Sequence, residues 1–197
     1  EASGILIFGR RIKSLVFTTD LAIIKNCDAD AVFAVYPFTP QQSISDAIIR
    51  AAAVPVFTGI GGGITKGLRS VRLAKDAESQ GAFGVVLNAP TSNRDLKLVA
   101  TSIDIPVVIT VTGERSDIRD RLRHGASIIN VAAGERTPDI VRMIDSKYPD
   151  VPIIASGGST PESIRETIRA GANAITYTPP TTKELFVDVM EQYREKY

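Results

Sequence analysis

VPIIASGGSTP, residues 151–161, is the stretch from which the fold can be read. Pro152 opens an extended run, Ile153–Ala155 give it an apolar body, and Ser156-Gly157-Gly158-Ser159 breaks it. A strand does not run on through paired glycines, whereas Thr and Pro suit the N-cap and first position of a helix, here Thr160 and Pro161. Two readings stand side by side. Glycines strip side chains from a place where backbone N–H groups and a helix N-terminus converge, which makes an anion site. They equally serve a tight strand-to-helix turn that needs unusual backbone angles.

The same frame recurs along the chain. Eight short apolar runs stand out: Ser14–Thr19, Ala31–Tyr36, Val54–Gly59, Gly84–Asn88, Pro106–Thr110, Ile128–Ala132, Pro152–Ser156 and Ala174–Thr178. Most are near-continuous in Val and Ile, as parallel strands buried on both faces are. Helically spaced apolar stripes lie between them: Ile44, Ala47, Ile48, Ala51; Val71, Ala74, Ala77; Ile140, Met143, Ile144; Ile164, Ile168; and Leu185, Val189. The third, fifth and seventh runs begin VPV, IPV and VPI, at Val54, Ile105 and Val151. The fourth, sixth and eighth follow helix ends reading QGA, HGA and AGA, where Gly81, Gly125 and Gly171 suit the C′ position. The repeat is a βαβα unit of roughly 46 residues. Four such units predict a single (β/α)8 barrel over residues 1–197.

Composition narrows the function. The chain has 197 residues, 44% hydrophobic and 23% charged, with net charge +1. No basic face dominates, so a nucleic-acid partner is not expected. No apolar run reaches the ~18 residues of a spanning helix, so no membrane partner is expected. The lone cysteine, Cys27, rules out an internal disulfide and suits the cytoplasm. Glu1 stands where Met is usual, and the short run Gly4–Phe8 does not fit a signal peptide; we expect a natural start upstream. From base rates alone the assembly expected is a homo-oligomer, most simply a dimer.

In a barrel of this kind the active site lies where the strands end. Cys27 and the only histidine, His124, fall at helix ends near the opposite face, so catalysis through histidine and transition-metal binding are not expected. Gly59-Ile60-Gly61-Gly62-Gly63 matches neither the P-loop nor the dinucleotide fingerprint, so no cofactor is expected; it reads as an anion nest or a hinge. Asp20 ends the first run and reads as an acid/base group or a helix N-cap. Glu114 and Arg115, with the similar Glu135 and Arg136, put carboxylates and guanidinium groups at the mouth. Lys66 and Lys183 follow the third and eighth strands, as phosphate contacts or solvated loop lysines. Tyr36 and Tyr177 bring rings to the mouth.

The stretch 151–174 resembles the corresponding segment of the ribulose-phosphate-binding barrel superfamily. That group includes indole-glycerol-phosphate synthase, phosphosugar epimerases and N-acetylmannosamine-6-phosphate epimerase. Ala155-Ser156-Gly157-Gly158-Ser159 resembles their phosphate-gripping turn, and Ala170-Gly171-Ala172-Asn173-Ala174 the segment after it. The resemblance implies a phosphate at Gly157, Gly158 and Ser159. Where those families complete the grip with Gly-Ser, this chain has Tyr177-Thr178-Pro179-Pro180, and proline brings no N–H. Over its whole length, through Lys13–Asp20 and Ala174–Pro180, the chain is similar to an uncharacterised bacterial barrel family sometimes labelled hydrolase.

The expectation is a metabolic enzyme for a small anionic ligand, phosphorylated or carboxylated, with isomerase, epimerase or lyase chemistry. In it Asp20 and Glu114 move protons, and Asn88 and Tyr177 orient the substrate. Tyr36, Gly61, Gly62, Lys66, Arg115, Ser156, Gly157, Gly158, Ser159 and Lys183 bind it. The alternatives are a hydrolase with an activated water, with or without a hard metal ion, and a non-catalytic ligand-sensing barrel.

Overall fold

Parallel strands bury both faces only if helices cover them, and in the computed structural model, which describes residues 1–196, the chain does this by closing on itself. Eight parallel strands form the barrel: β3 (Ser14–Phe17), β4 (Ala31–Ala34), β5 (Val56–Gly59), β6 (Gly84–Leu87), β7 (Val107–Val111), β8 (Ile128–Val131), β9 (Ile153–Ser156) and β10 (Ala174–Tyr177). Closure is made by β10 against β3, with Ile175, Thr176 and Tyr177 opposite Ser14, Leu15 and Val16. The helices are α1 (Leu21–Asn26), α2 (Gln42–Ala51), α3 (Leu68–Ser79), α4 (Asn93–Ala100), α5 (Ile118–Arg123), α6 (Thr137–Lys147), α7 (Pro161–Arg169) and α8 (Thr182–Lys196). All eight sequence-expected strands are present, each within two residues of the expected bounds at either end.

Strand alternation divides the core. Leu15, Ala31, Phe33, Phe57, Val86, Val108, Ile128, Ile154 and Ala174 pack together, drawn from every strand of the barrel, and so fill its axis. The residues between them, such as Val85, Leu87, Ile109, Ile129 and Ile153, face outward onto α3–α7. Val16, Val32, Ala34 and Val56 do the same beneath α1 and α2.

Two features depart from the sequence expectation. Residues 5–12, to which the sequence assigned no element, form an antiparallel hairpin, β1 (Ile5–Ile7) and β2 (Arg10–Ile12). Phe8 (φ 46°) and Gly9 (φ 78°) form its two-residue turn, both left-handed, the geometry that matches strand twist. Ile5, Ile7 and Ile12 join the axial core, and the Gly4 N–H donates to the Asn173 carbonyl at 2.8 Å, so the hairpin stoppers the N-terminal end. The second departure is α8. Leu185 and Val189, expected to pack on the barrel, are 43% and 40% exposed, and no residue of α8 is buried. Thr178-Pro179-Pro180 lies between β10 and α8, and paired prolines stiffen an extended spacer that directs the helix off the wall.

The stopper makes a direct prediction. Ile12→Ala removes a side chain only 2% exposed and should lower unfolding free energy by about 2–5 kcal/mol. Leu6→Ala, on the exposed face of the same hairpin, should change it by less than about 0.5 kcal/mol. Urea unfolding of the two variants beside the wild type measures both.

Candidate functional site at the barrel mouth

Alternation also decides what the mouth contains. Carried one step past the axial core, the same parity gives Phe17, Val35, Gly59, Asn88, Thr110, Asn130, Ser156 and Thr176, with Phe33 of that core beside Phe17. One side of the mouth is therefore aromatic, with the rings of Phe17 and Phe33 6.2 Å apart. The other side is polar and uncharged. Asn130 is 5% exposed, and its Nδ2 donates to Thr110 Oγ1 at 3.2 Å. Its Oδ1 is sealed from solvent with no hydrogen-bond partner among the described residues. A buried carboxamide oxygen without a partner costs about 1–3 kcal/mol. Because the Thr110 hydroxyl both donates and accepts, the carboxamide can turn over and offer Nδ2 in place of Oδ1.

The cavity above Asn130 runs from Phe17 and Phe33 to Ser156, Gly157, Gly158 and Ser159, with Thr176 and Thr178 on its third side. Thr160 and Ser163 form a reciprocal cap that opens α7 at this edge. Gly158 has φ 78°, and a Cβ there would lie 2.4 Å from Ser163 Oγ, so the turn requires glycine. The Gly157 N–H continues the barrel ladder to Thr176 O at 3.2 Å. The N–H groups of Gly158 and Ser159 meet no backbone carbonyl among the described residues. Of the two glycine amides expected at an anion, one is thus occupied.

A second cavity lies under the loops that follow β4 and β5, lined by Tyr36, Phe38, Gly61, Ile64 and Asn88. The glycines here are packing residues. A Cβ on Gly62 (φ 114°) would sit 2.2 Å from Thr91 Oγ1, and the Gly62 N–H already donates to Thr65 O at 2.8 Å. The Tyr36 hydroxyl accepts from the Gln41 N–H at 2.9 Å, and Lys66 is exposed outside the lining.

The charged candidates stand apart from both cavities. Asp20 is the N-cap of α1, accepting from the N–H groups of Ala22 (2.8 Å) and Ile23 (3.3 Å), and its other oxygen accepts from the Thr182 hydroxyl. The Thr182 hydrogen bond above all, with lesser help from the two backbone donors, holds the Asp20 carboxyl below the ordinary aspartate value, against desolvation that acts the other way. Glu114 pairs with Arg136 on the exposed rim; Arg115 is exposed beside it. Lys183 lies on α8 beside Phe186 and Met190, away from the glycine turn. Tyr177 also contributes to the lining of the cavity over Asn130, though from an outward position of β10, and its side chain packs against the cluster of Val16 and Ile24 with Cys27. Burial raises its pKa, with smaller contributions from Cys27 and Asp28. His124 caps α5, its Nδ1 2.7 Å from Asp120 O, and Cys27 caps α1, both remote from the mouth as expected. No group of three or more His, Cys, Asp or Glu among the described residues is placed to hold a metal ion. Among the described residues no helix is long and apolar enough to cross a membrane.

Asn130 and Thr110 escaped the sequence reading. The signal lay in Ile128-Ile129-Asn130-Val131, where an amide interrupts a wholly apolar strand at an inward position.

No family model matches the chain. In sequence, 103 residues are 30% identical to inosine-5'-monophosphate dehydrogenase of Chlorobaculum tepidum, covering 51% of this chain. The match spans 17% of that enzyme's length. Among solved structures, phosphonopyruvate hydrolase aligns with a TM-score of 0.74 at 13% identity, over 96% of this chain and 83% of that one. A 2,3-dimethylmalate lyase gives 0.71 at 12%, over 94% and 81%. Phosphoenolpyruvate phosphomutase from Streptomyces platensis subsp. rosaceus gives 0.67 at 11%, again over 94% and 81%. At such identities the likeness establishes the (β/α)8 barrel and does not single out the ribulose-phosphate-binding group.

The Asp20–Thr182 contact gives a pH prediction. A carboxyl with a depressed folded-state pKa contributes stability that is present above its unfolded value, near 3.9, and lost as pH falls through the folded value. Removing the first cause should therefore raise the midpoint. In Thr182→Val the Asp20 side-chain carbon, followed by NMR, should titrate at higher pH than in the wild type. An unchanged midpoint would show that the helix cap alone sets it.

Proposed function

We propose that the cavity over Asn130 is the binding site for a small anionic substrate and that the protein is a barrel enzyme of isomerase, lyase or hydrolase type. The observation that carries the reading is Asn130 itself: a buried amide, unsatisfied on one side, on the floor of a cavity whose edge is the α7 N-terminus. Buried polar atoms are normally partnered: a ligand hydroxyl can donate to Oδ1, or, with the carboxamide turned over, a ligand carboxylate can accept from Nδ2. Beside it the Gly158 and Ser159 amides and the α7 dipole suit the anionic group.

The comparisons lend support of a coarse kind. The structural neighbours bear the names of enzymes acting on phosphonopyruvate, phosphoenolpyruvate and dimethylmalate, all small acids. The sequence relative is named for a monophosphate. A phosphorylated ligand is the finer form of the proposal, and the resemblance of residues 155–159 to a phosphate turn favours it.

Proton transfer by Asp20 and Glu114 draws little support from the geometry, since one carboxylate caps a helix and the other pairs with Arg136. One observation favours a second reading, a ligand-sensing barrel: the cavity over Asn130 is lined by no charged side chain.

A phosphate titration followed by thermal unfolding tests the site. At ten times Kd the bound anion should add about 1.4 kcal/mol, or ~3–6 °C. Gly158→Ala, strained at positive φ and pressing on Ser163, should unfold somewhat lower without ligand and gain far less from phosphate. Equal gains in both proteins, or none, would remove the anion from the turn.

A further inference from the structure

Outside the barrel mouth, a cleft between the starts of α2 and α3 gathers positive charge. It measures about 550 Å³ and shares no lining residue with the cavity over Asn130. Arg69 and Arg72 line it, one helical turn apart on α3. Neither joins an ion pair among the described residues. Two carboxylates of the same helices are engaged elsewhere: Asp46 pairs with Arg50 at 2.6 Å, and Asp76 accepts from Gln80 at 2.9 Å.

This arrangement works against stability as it stands. Arg69 is the second residue of α3, where the helix dipole is positive and a cation is unfavourable. Neither α2 nor α3 has an acidic residue in its first turn or a side-chain cap. The Gln42 and Ser43 N–H groups, which open α2 at the same cleft, meet no backbone carbonyl among the described residues.

Thr65 points to a ligand independently. It lines the cleft, yet it is only 3% exposed. Its carbonyl accepts from the Gly62 N–H at 2.8 Å and the Ser70 hydroxyl at 3.3 Å. Its methyl carbon is turned to Gly61, 3.0 Å from where a Cβ would stand there. The hydroxyl is left for the cleft, with no hydrogen-bond partner among the described residues, and it is not among the sealed polar atoms. Hydroxyls buried this far are normally partnered.

We infer that this cleft is a second anion site, built for the phosphate of a small phosphomonoester and separate from the cavity over Asn130. Two guanidinium forks, two free amides and a hydroxyl offer more donors than the two oxygens of a carboxylate can accept, whereas a phosphate presents three oxygens and up to two charges. Pro40 and Leu73 line the cleft as well and can cover the carbon body of the ligand.

Inorganic phosphate titrated into amide-labelled protein at constant ionic strength tests the site by two-dimensional NMR. The Gln42 and Ser43 amides should shift saturably. The exposed pair Arg69→Gln, Arg72→Gln should raise the Kd read at these amides more than about tenfold, and Thr65→Val by about three- to tenfold. In both variants the Gly158 and Ser159 amides should respond as in the wild type, so this site and the one at the mouth succeed or fail separately. Arg69→Lys with Arg72→Lys keeps the charge without the forks and should also weaken binding. Gln42 and Ser43 amides that stay still in the wild type, or that move equally in the glutamine pair, overturn the site. Wild-type affinity in the lysine pair would mean a diffuse cationic surface and would overturn it too.

Discussion

The pairing of β10 with β3 is the constraint on which the molecule depends. An open eight-stranded sheet would leave two unpaired edges and no enclosed axis. With Thr176 opposite Leu15, closure turns one parity of every strand inward, and the axial core from Leu15 to Ala174 follows. The same parity, continued upward, sets Phe17, Phe33, Asn130, Ser156 and Thr176 around the mouth. A shift of one residue at the seam would exchange Thr176 for Tyr177 on the inner face. The site is thus a consequence of closure as much as of local sequence.

Charge is arranged unusually for a barrel mouth. The carboxylates and guanidinium groups near the strand ends serve structure: Asp20 caps α1, Glu114 meets Arg136, and Arg121 binds the carbonyls of Ala89 and Thr91 beyond β6. What faces the cavity is neutral. A ligand there meets backbone dipoles, hydroxyls, one carboxamide and aromatic rings. Fixed dipoles of this sort stabilise an anion without the long side-chain motions that lysine or arginine would bring.

The barrel was legible because its signals are strong: continuous Val and Ile runs, Pro at strand starts and Gly after helices. The hairpin was not, since three-residue strands are too short to show a period, and Phe8 is an uncommon residue at positive φ. The glycine turn was legible as a turn, and its place at the mouth followed from the fold. Whether its amides were free was not, because the Gly157 bond to Thr176 depends on register. Tyr177 shows the same limit: its nearness to a strand end was readable, but only parity reveals that its ring faces α1. The exposure of α8 runs against its pattern, for an amphipathic helix reports that it needs a partner surface and does not say whose.

The central claim is that the mouth binds an anion through the α7 turn and Asn130. Two-dimensional NMR of amide-labelled protein during a phosphate titration tests it most directly. The account predicts saturable shifts at the Gly158 and Ser159 amides and at the Asn130 side-chain amide, with one common Kd. Shifts confined to surface lysine and arginine neighbourhoods, with these three signals unmoved, would contradict it.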